Sequence, residues 1–255
     1  MTKPEKIPKT DILCSGYCAR CETVHALGLN DAREQSLLLM QKLDQAGRID
    51  FTVPSSEADP ALSTDYVFGK ALGQMFGAMT YVNSDNEQGV AYAFSGQYNA
   101  IWEVDGWVPP IVDTLEFKDL TQNKALEIMA ISAEMEDLTK GSDKHAELGL
   151  LRKTMSRALM DKIRYIYKLP NFRGETRVLP EIPPLGKGIP AGTGDCCAPK
   201  LLNFAALNNL TPLGIAEFYY GKENKSGTKQ HKTFYPSCKD KCSLILGYML
   251  CGLQT

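Results

Sequence analysis

The sequence has little that would mark a membrane, disordered or disulfide-framed protein. No run approaches the roughly 18 apolar residues of a membrane span, and 44% hydrophobic with 23% charged residues suits an ordinary folded domain. Tryptophan occurs twice and histidine three times in 255 residues, so imidazole chemistry has few groups to draw on. Missing too are a GxxxxGK[ST] loop, an HExxH pair, a GxSxG elbow and a strand-anchored GxGxxG. P-loop nucleotide hydrolysis, zincin proteolysis, serine hydrolysis and dinucleotide binding therefore have no sequence support. The start, Met1-Thr2-Lys3-Pro4-Glu5-Lys6, is polar and proline-broken with no apolar stretch behind it. The expectation is a cytoplasmic protein with no membrane attachment.

Nor is there a surplus of one charge: 28 Lys and Arg face 30 Asp and Glu, a formal net charge of -2. The balance hides an asymmetry, since residues 1–140 carry 11 basic and 21 acidic side chains and residues 141–255 carry 17 and 9. A basic half suits phosphate binding, because each Lys or Arg that neutralises a phosphate releases condensed counterions. The alternative is a solvated surface whose acidic half docks on its basic half.

What the chain does have is cysteine, eight in all and grouped. Cys14, Cys18 and Cys21 lie near the start; Cys196, Cys197, Cys238, Cys242 and Cys251 lie near the end. Without a secretion signal, such grouping points to metal or redox chemistry more than to disulfides. Cys197 and Cys251, with apolar neighbours, read as buried free thiols.

Periodicity predicts a helix from Asp31 to a stop at Gly47, then a β-hairpin of residues 75–82 and 89–95 around a polar turn. A helical hairpin follows over residues 122–168, broken at Gly141-Ser142-Asp143. Leu151, Met155, Leu159, Ile163 and Ile166 share one face of its second arm. Arg152, Lys153, Arg157, Arg164 and Lys168 lie away from that stripe, beside Tyr165 and Tyr167, and are the candidate nucleic-acid contacts; a solvated helix face is the plainer alternative. Residues 179–194, dense in Pro and Gly, form a loop or linker. A helix over 198–208, a strand over 213–220 and a closing helix over 239–250 complete the chain, divided as 1–120, 121–178 and 179–255.

The strongest chemical signal is at the C-terminal end. Cys196 precedes one helix, Cys238 and Cys242 stand four apart at the predicted start of another, and His231 lies just upstream. Positions i and i+4 of a helix share a face, and three thiolates with an imidazole complete the shell Zn²⁺ prefers. The candidate metal ligands are therefore Cys196, His231, Cys238 and Cys242. Cys14, Cys18 and Cys21 match the CxxxCxxC spacing of radical enzymes that use S-adenosylmethionine, but no barrel strand precedes them. A zinc knuckle with His25, or surface thiols in a mobile N-terminus, fits better.

Two arrangements imitate a zinc deaminase, in which a ligand and a nearby glutamate are completed by a downstream cysteine pair. One uses His145-Ala146-Glu147, inside a charged stretch that also reads as ordinary helix. The other starts from Cys196 and follows the deaminase order of ligand, helix, strand, cysteine pair and helix. There Ala198 stands where the glutamate is expected, and Asp195 or Glu217 has to substitute.

The residues also carry a family resemblance. Gly188 through Leu202 (GIPAGTGDCCAPKLL), Ala216-Glu217-Phe218-Tyr219-Tyr220-Gly221, and His231 through Cys242 with Phe234-Tyr235-Pro236-Ser237-Cys238 resemble the region ahead of the catalytic domain in long bacterial RluA-type RNA pseudouridine synthases. Those segments run there approximately as PPAGxGECAAPKLL, AEFWWG and HxxFYPACxxKC. Asp195 replaces a glutamate, Cys197 an alanine, and Tyr219-Tyr220 a tryptophan pair. The HRLDxxTSG-like motif with the synthase's nucleophilic aspartate has no counterpart. The resemblance implies an accessory module that lacks the synthase domain, associates with RNA and partners an RNA-modifying enzyme.

Together these readings predict an α/β (α+β) fold with a mixed sheet, a central helical hairpin and a C-terminal zinc-binding unit of deaminase-like topology. The leading functional expectation is a zinc- and RNA-binding accessory protein of RNA modification. The enzymatic alternative is a zinc-dependent, deaminase-like nucleobase hydrolase.

Overall fold

The computed structural model describes residues 14–184 and 187–253; the proline-broken start and Gly186 of the Pro/Gly loop lie outside these. A hairpin of β1 (Cys14–Cys18) and β2 (Thr23–Leu27) leads into α1 (Ala32–Ala46) and the short α2 (Asp65–Phe68). Next come β3 (Gln74–Val82), β4 (Gln88–Phe94), the long α3 (Thr114–Glu136) and α4 (Asp143–Ile166), and the small pair β5 (Lys168–Pro170) and β6 (Thr176–Val178). The chain closes with α5 (Cys197–Leu207), β7 (Thr211–Tyr220), β8 (Thr233–Tyr235) and α6 (Ser243–Met249). The fold is thus mixed α/β, but every strand pairing is antiparallel.

The central sheet has the order β4-β3-β7-β8, so strands contributed by residues 1–120 and 179–255 share one ladder. Alternation along β7 assigns its two faces. Phe218 and Tyr220 join Phe76, Phe94, Tyr98 and Trp107 in the core under α1, while Ile215 joins the core built around α5 and α6. Glu217, between Ala216 and Phe218, falls on the α5 side. On the α1 side, Phe76 meets the rings of Tyr98, Trp107, Phe218 and Tyr220 at 5.5 to 6.3 Å, contacts each worth about 0.5–1.5 kcal/mol beyond area burial. Helix α1 turns Leu39, Met40 and Leu43 to this core and stops at Gly47, whose φ of 64° lets its N–H reach the Leu43 carbonyl.

Helices α3 and α4 form the expected hairpin, with Ser142 capping α4 through His145 N. Helix α3 begins at Thr114 because Asp113 accepts from the Leu115 and Glu116 amides, so the boundary drawn at residue 120 falls within a helix. Neither helix has a fully buried residue. They pack on each other, and α4 touches β6 and the turn at Leu179–Glu181.

Two local expectations are corrected. Two of the three N-terminal thiols are not surface groups: Cys14 and Cys18 are each 2% exposed, and Cys21 is half-buried. Their strand lies directly on α6, where Cβ atoms at Gly16 and Gly247 would collide with Gly247 N and the Tyr17 carbonyl. Helix α6 begins at Ser243 rather than 239. Cys238 therefore stands in the turn before the helix, and its carbonyl accepts from Ser243 N at 3.0 Å. Among the described residues, no helix is long and apolar enough to cross a membrane.

Candidate active site

Two helix starts and one turn bring three thiols together. Cys196 is the N-cap of α5, Cys242 is the N-cap of α6, and Cys238 lies four residues earlier. Each sulfur is near enough to the other two to shift its titration. Cys196 and Cys242, then the Lys241 and Cys242 amides, lower Cys238 far below the ordinary thiol range. Cys238 pushes Cys196 up to about 12, and Cys196, followed by Cys238, raises Cys242. Soft sulfur donors of this kind suit Zn²⁺, and metal binding would deprotonate the other two thiols.

The imidazole expected as fourth ligand lies elsewhere. His231 Nδ1 accepts from Gly221 N at 3.0 Å, and its ring packs edge-on against Tyr220 and Phe68. A positive φ at Lys232, 57°, follows it. Backbone geometry and aromatic packing thus hold His231 out of the thiol group, which is left with three protein donors. Of the adjacent pair, Cys197 turns into the core: it is fully buried and donates to the Met75 carbonyl at 3.3 Å.

Of the two carboxyls that could substitute at Ala198, Glu217 is the one beside Ser237 and Cys238. Its carboxyl accepts from the Ser237 hydroxyl beside Cys238, and the Ala198 amide in the first turn of α5 is close enough to lower its pKa. Burial is the main cause that raises its pKa to about 7, against these hydrogen bonds. Glu217 pairs across the ladder with Gly77, and a Cβ there would lie 2.9 Å from Cys197 Cβ and 3.4 Å from Glu217 Cγ. The absent side chain leaves room for both.

These groups line a cavity of about 590 Å³, walled by Asp195, Cys196, Glu217, Lys229, Tyr235 and Cys238 among others. Asp195, the other candidate substitute, accepts from the Tyr167 hydroxyl at 2.6 Å, and its burial raises its pKa. The rim is held by Lys200, 1% exposed, whose Nζ donates to the carbonyls of Phe94 and Gly96 at 3.0 and 2.7 Å. The Gly96 amide in turn donates to the Asp195 carbonyl at 2.7 Å. Neither Lys200 nor Ser237 stood out in the sequence; burial among polar partners identifies them.

A second group lies at the far end of α6. The ligand atoms of Cys18, Cys21, His25 and Cys251 are all within 4.8 Å of one another and can hold a metal ion. Three of these four belong to the candidate knuckle; Cys251, expected as a packed thiol, is the fourth, and Cys14 lies instead near Ser237 and Glu217. His145 and Glu147 sit in the first two turns of α4, an element that packs on α3, β6 and the turn at Leu179–Glu181.

Of the α4 cations, Arg152, Lys153 and Arg157 are exposed, as is Lys168 in β5. Arg164 is half-buried, paired with Asp161 at 2.6 Å and donating to the Ile189 carbonyl. Lys153, Arg157 and Arg164 border a shallow groove along the helix. Comparison with protein-family models, curated proteins and solved structures returns no match for this chain.

Proposed function

We propose that this chain is a zinc-dependent hydrolase of the nucleobase-deaminase type. The observation that carries the proposal is the placement of Glu217, a buried carboxyl, on one cavity with the Cys196 and Cys238 thiols. Cys196, Cys238 and Cys242 would hold the zinc. Three protein ligands leave a coordination position free, as catalytic zinc sites do, and zinc there supplies water acidified to near neutral pH.

The chain's own groups meet the remaining needs of hydrolysis. Deamination adds water at the amine-bearing carbon and releases ammonia, so a proton must leave the water and one must reach the departing nitrogen. A carboxyl with a pKa of about 7 can take the first and give the second. The Ser237 hydroxyl orients it, and the cavity has room for a flat base beside it. The order Cys196, α5, β7, Cys238 with Cys242, then α6, behind the β3–β4 hairpin, supports a deaminase-like topology.

The second reading, an RNA-associated accessory protein working beside a modifying enzyme, draws on the exposed cations Arg152, Lys153 and Arg157 along α4. The two readings separate in one assay. Zinc-loaded protein is offered amine-bearing nucleosides and RNA, with ammonia and modified bases as readouts. Ammonia release that Glu217→Gln abolishes supports the hydrolase; RNA binding without turnover of any base supports the accessory role.

A further inference from the structure

We infer that Cys18, Cys21, His25 and Cys251 form a second, closed zinc site that fastens the β1–β2 hairpin to the end of α6. This inference is independent of the hydrolase proposal and uses none of its residues. All four donor atoms lie within 4.8 Å of one another, and Cys21 and Cys251 Sγ are 3.5 Å apart. Tetrahedral zinc with Zn–S near 2.3 Å and Zn–N near 2.0 Å separates its ligands by roughly 3.3–3.8 Å, so small side-chain adjustments complete the shell. Three sulfurs and one imidazole are a common structural donor set, and they fill all four positions.

Two further observations point to an ion. His25 Nε2 is buried with no hydrogen-bond partner among the described residues, a costly state for a polar atom that coordination relieves. Three thiolates around Zn²⁺ leave one negative charge, and a cation already stands there: Arg173 Nε donates to Cys251 Sγ at 3.1 Å, and its Nη2 lies 3.8 Å from Cys21 Sγ. Donors of this kind around the ligands tune and orient a metal site. Arg173 can approach because Gly252 has no side chain and a φ of 97°; a Cβ there would lie 2.7 Å from Arg173 N.

The placement gives the site a task. Helix α6 carries Cys242 as N-cap and Cys251 two residues beyond its last turn. At about 1.5 Å per residue, the two lie on the order of 13 Å apart along it. Beneath, β1 touches α6 backbone to backbone at Gly16 and Gly247. A metal that binds the end of β1, the hairpin turn, β2 and the chain after α6 fixes the helix on which the thiol cavity depends.

The test is zinc content with zinc K-edge absorption on the full chain, purified under reducing conditions without added metal. The expected result is two zinc ions per chain with the outer-shell scattering of an imidazole, since the Cys196 group contains no histidine. Cys251→Ala and His25→Ala should each retain one zinc and lose the imidazole signature, while Cys251→His should keep two. Should the Cys196 group prove empty, one zinc with imidazole scattering still supports this site. Zinc without imidazole scattering in the unaltered protein, no zinc at all, or a Cys21–Cys251 disulfide under these conditions would overturn it. The unaltered protein decides the matter if the variants fail to fold.

Discussion

The hydroxyl of Ser237 donates to the carboxyl of Glu217, joining the residue before the Cys238 thiolate to a buried acid on β7. The bond spans the two halves of the cavity and satisfies a carboxyl taken fully out of water. Replacing Ser237 by Ala leaves that carboxyl short of one donor, a loss of about 1–3 kcal/mol. Urea unfolding should show a lower midpoint at unchanged slope.

Glu217→Gln keeps the volume and most hydrogen bonds but cannot cycle a proton. Turnover should fall by about 10²–10⁴, the usual contribution of a positioned acid-base group. Zinc content should not change, and a parallel loss of metal would assign Glu217 to the ligand shell instead.

Gly77→Ala tests the space that Cys197 and Glu217 share. The added Cβ would sit 2.9 Å from Cys197 Cβ and 3.3 Å from the Ala216 carbonyl, in a central strand that cannot easily yield. Overpacking of this kind costs about 1–3 kcal/mol. A crystal structure of the variant should show Glu217 displaced from Ser237; an undisturbed pair would mean that the site is looser than its contacts imply.

Asp44 provides a pH test away from the cavity. Partial burial raises its pKa, but Lys232 and the Tyr220 hydroxyl hydrogen-bond to the carboxylate and outweigh this, so the folded value lies below the usual aspartate range. Its contribution is present above about pH 4 and is lost as pH falls through the depressed folded value. The stability gap between the unaltered protein and Asp44→Asn should therefore narrow with acid; a gap that widens would contradict the assignment.

For the nucleic-acid reading, Lys153 and Arg157 are the cations to replace, because Arg164 is already engaged with Asp161 and Ile189. If both reach phosphates of single-stranded RNA, the log-log salt dependence of binding should flatten by about 1.4. Unchanged affinity and slope would return α4 to a solvated face.

Much of the architecture follows from local pattern. Gly47 stops α1, the polar turn between Val82 and Gln88 marks the hairpin, and Ser142 caps α4, each through short-range chemistry visible in the chain; Asp31 precedes α1 without a side-chain cap. Cys196 and Cys242 were legible as helix starts by the same local reasoning, while Cys238 lies in the turn before α6. What the sequence could not show depends on pairing across distance. His231 looked like a ligand until Gly221 and two aromatic rings were seen to hold it, and Cys251 looked like core packing until α6 placed it beside β1 and β2. Glu217 and Asp195 stood level as candidates, because the register that sets Glu217 opposite Gly77 and beside Ser237 is a long-range pairing.

The most direct measurement of the proposed chemistry is deamination in water enriched in heavy oxygen, with the zinc-loaded chain and amine-bearing nucleosides or RNA. Hydrolysis at the cavity predicts one ammonia per product, with solvent oxygen at the carbon that lost its nitrogen, and no product from Glu217→Gln. A product that lacks solvent oxygen, or zinc-loaded protein that turns over no base in nucleosides or RNA, would contradict the assignment.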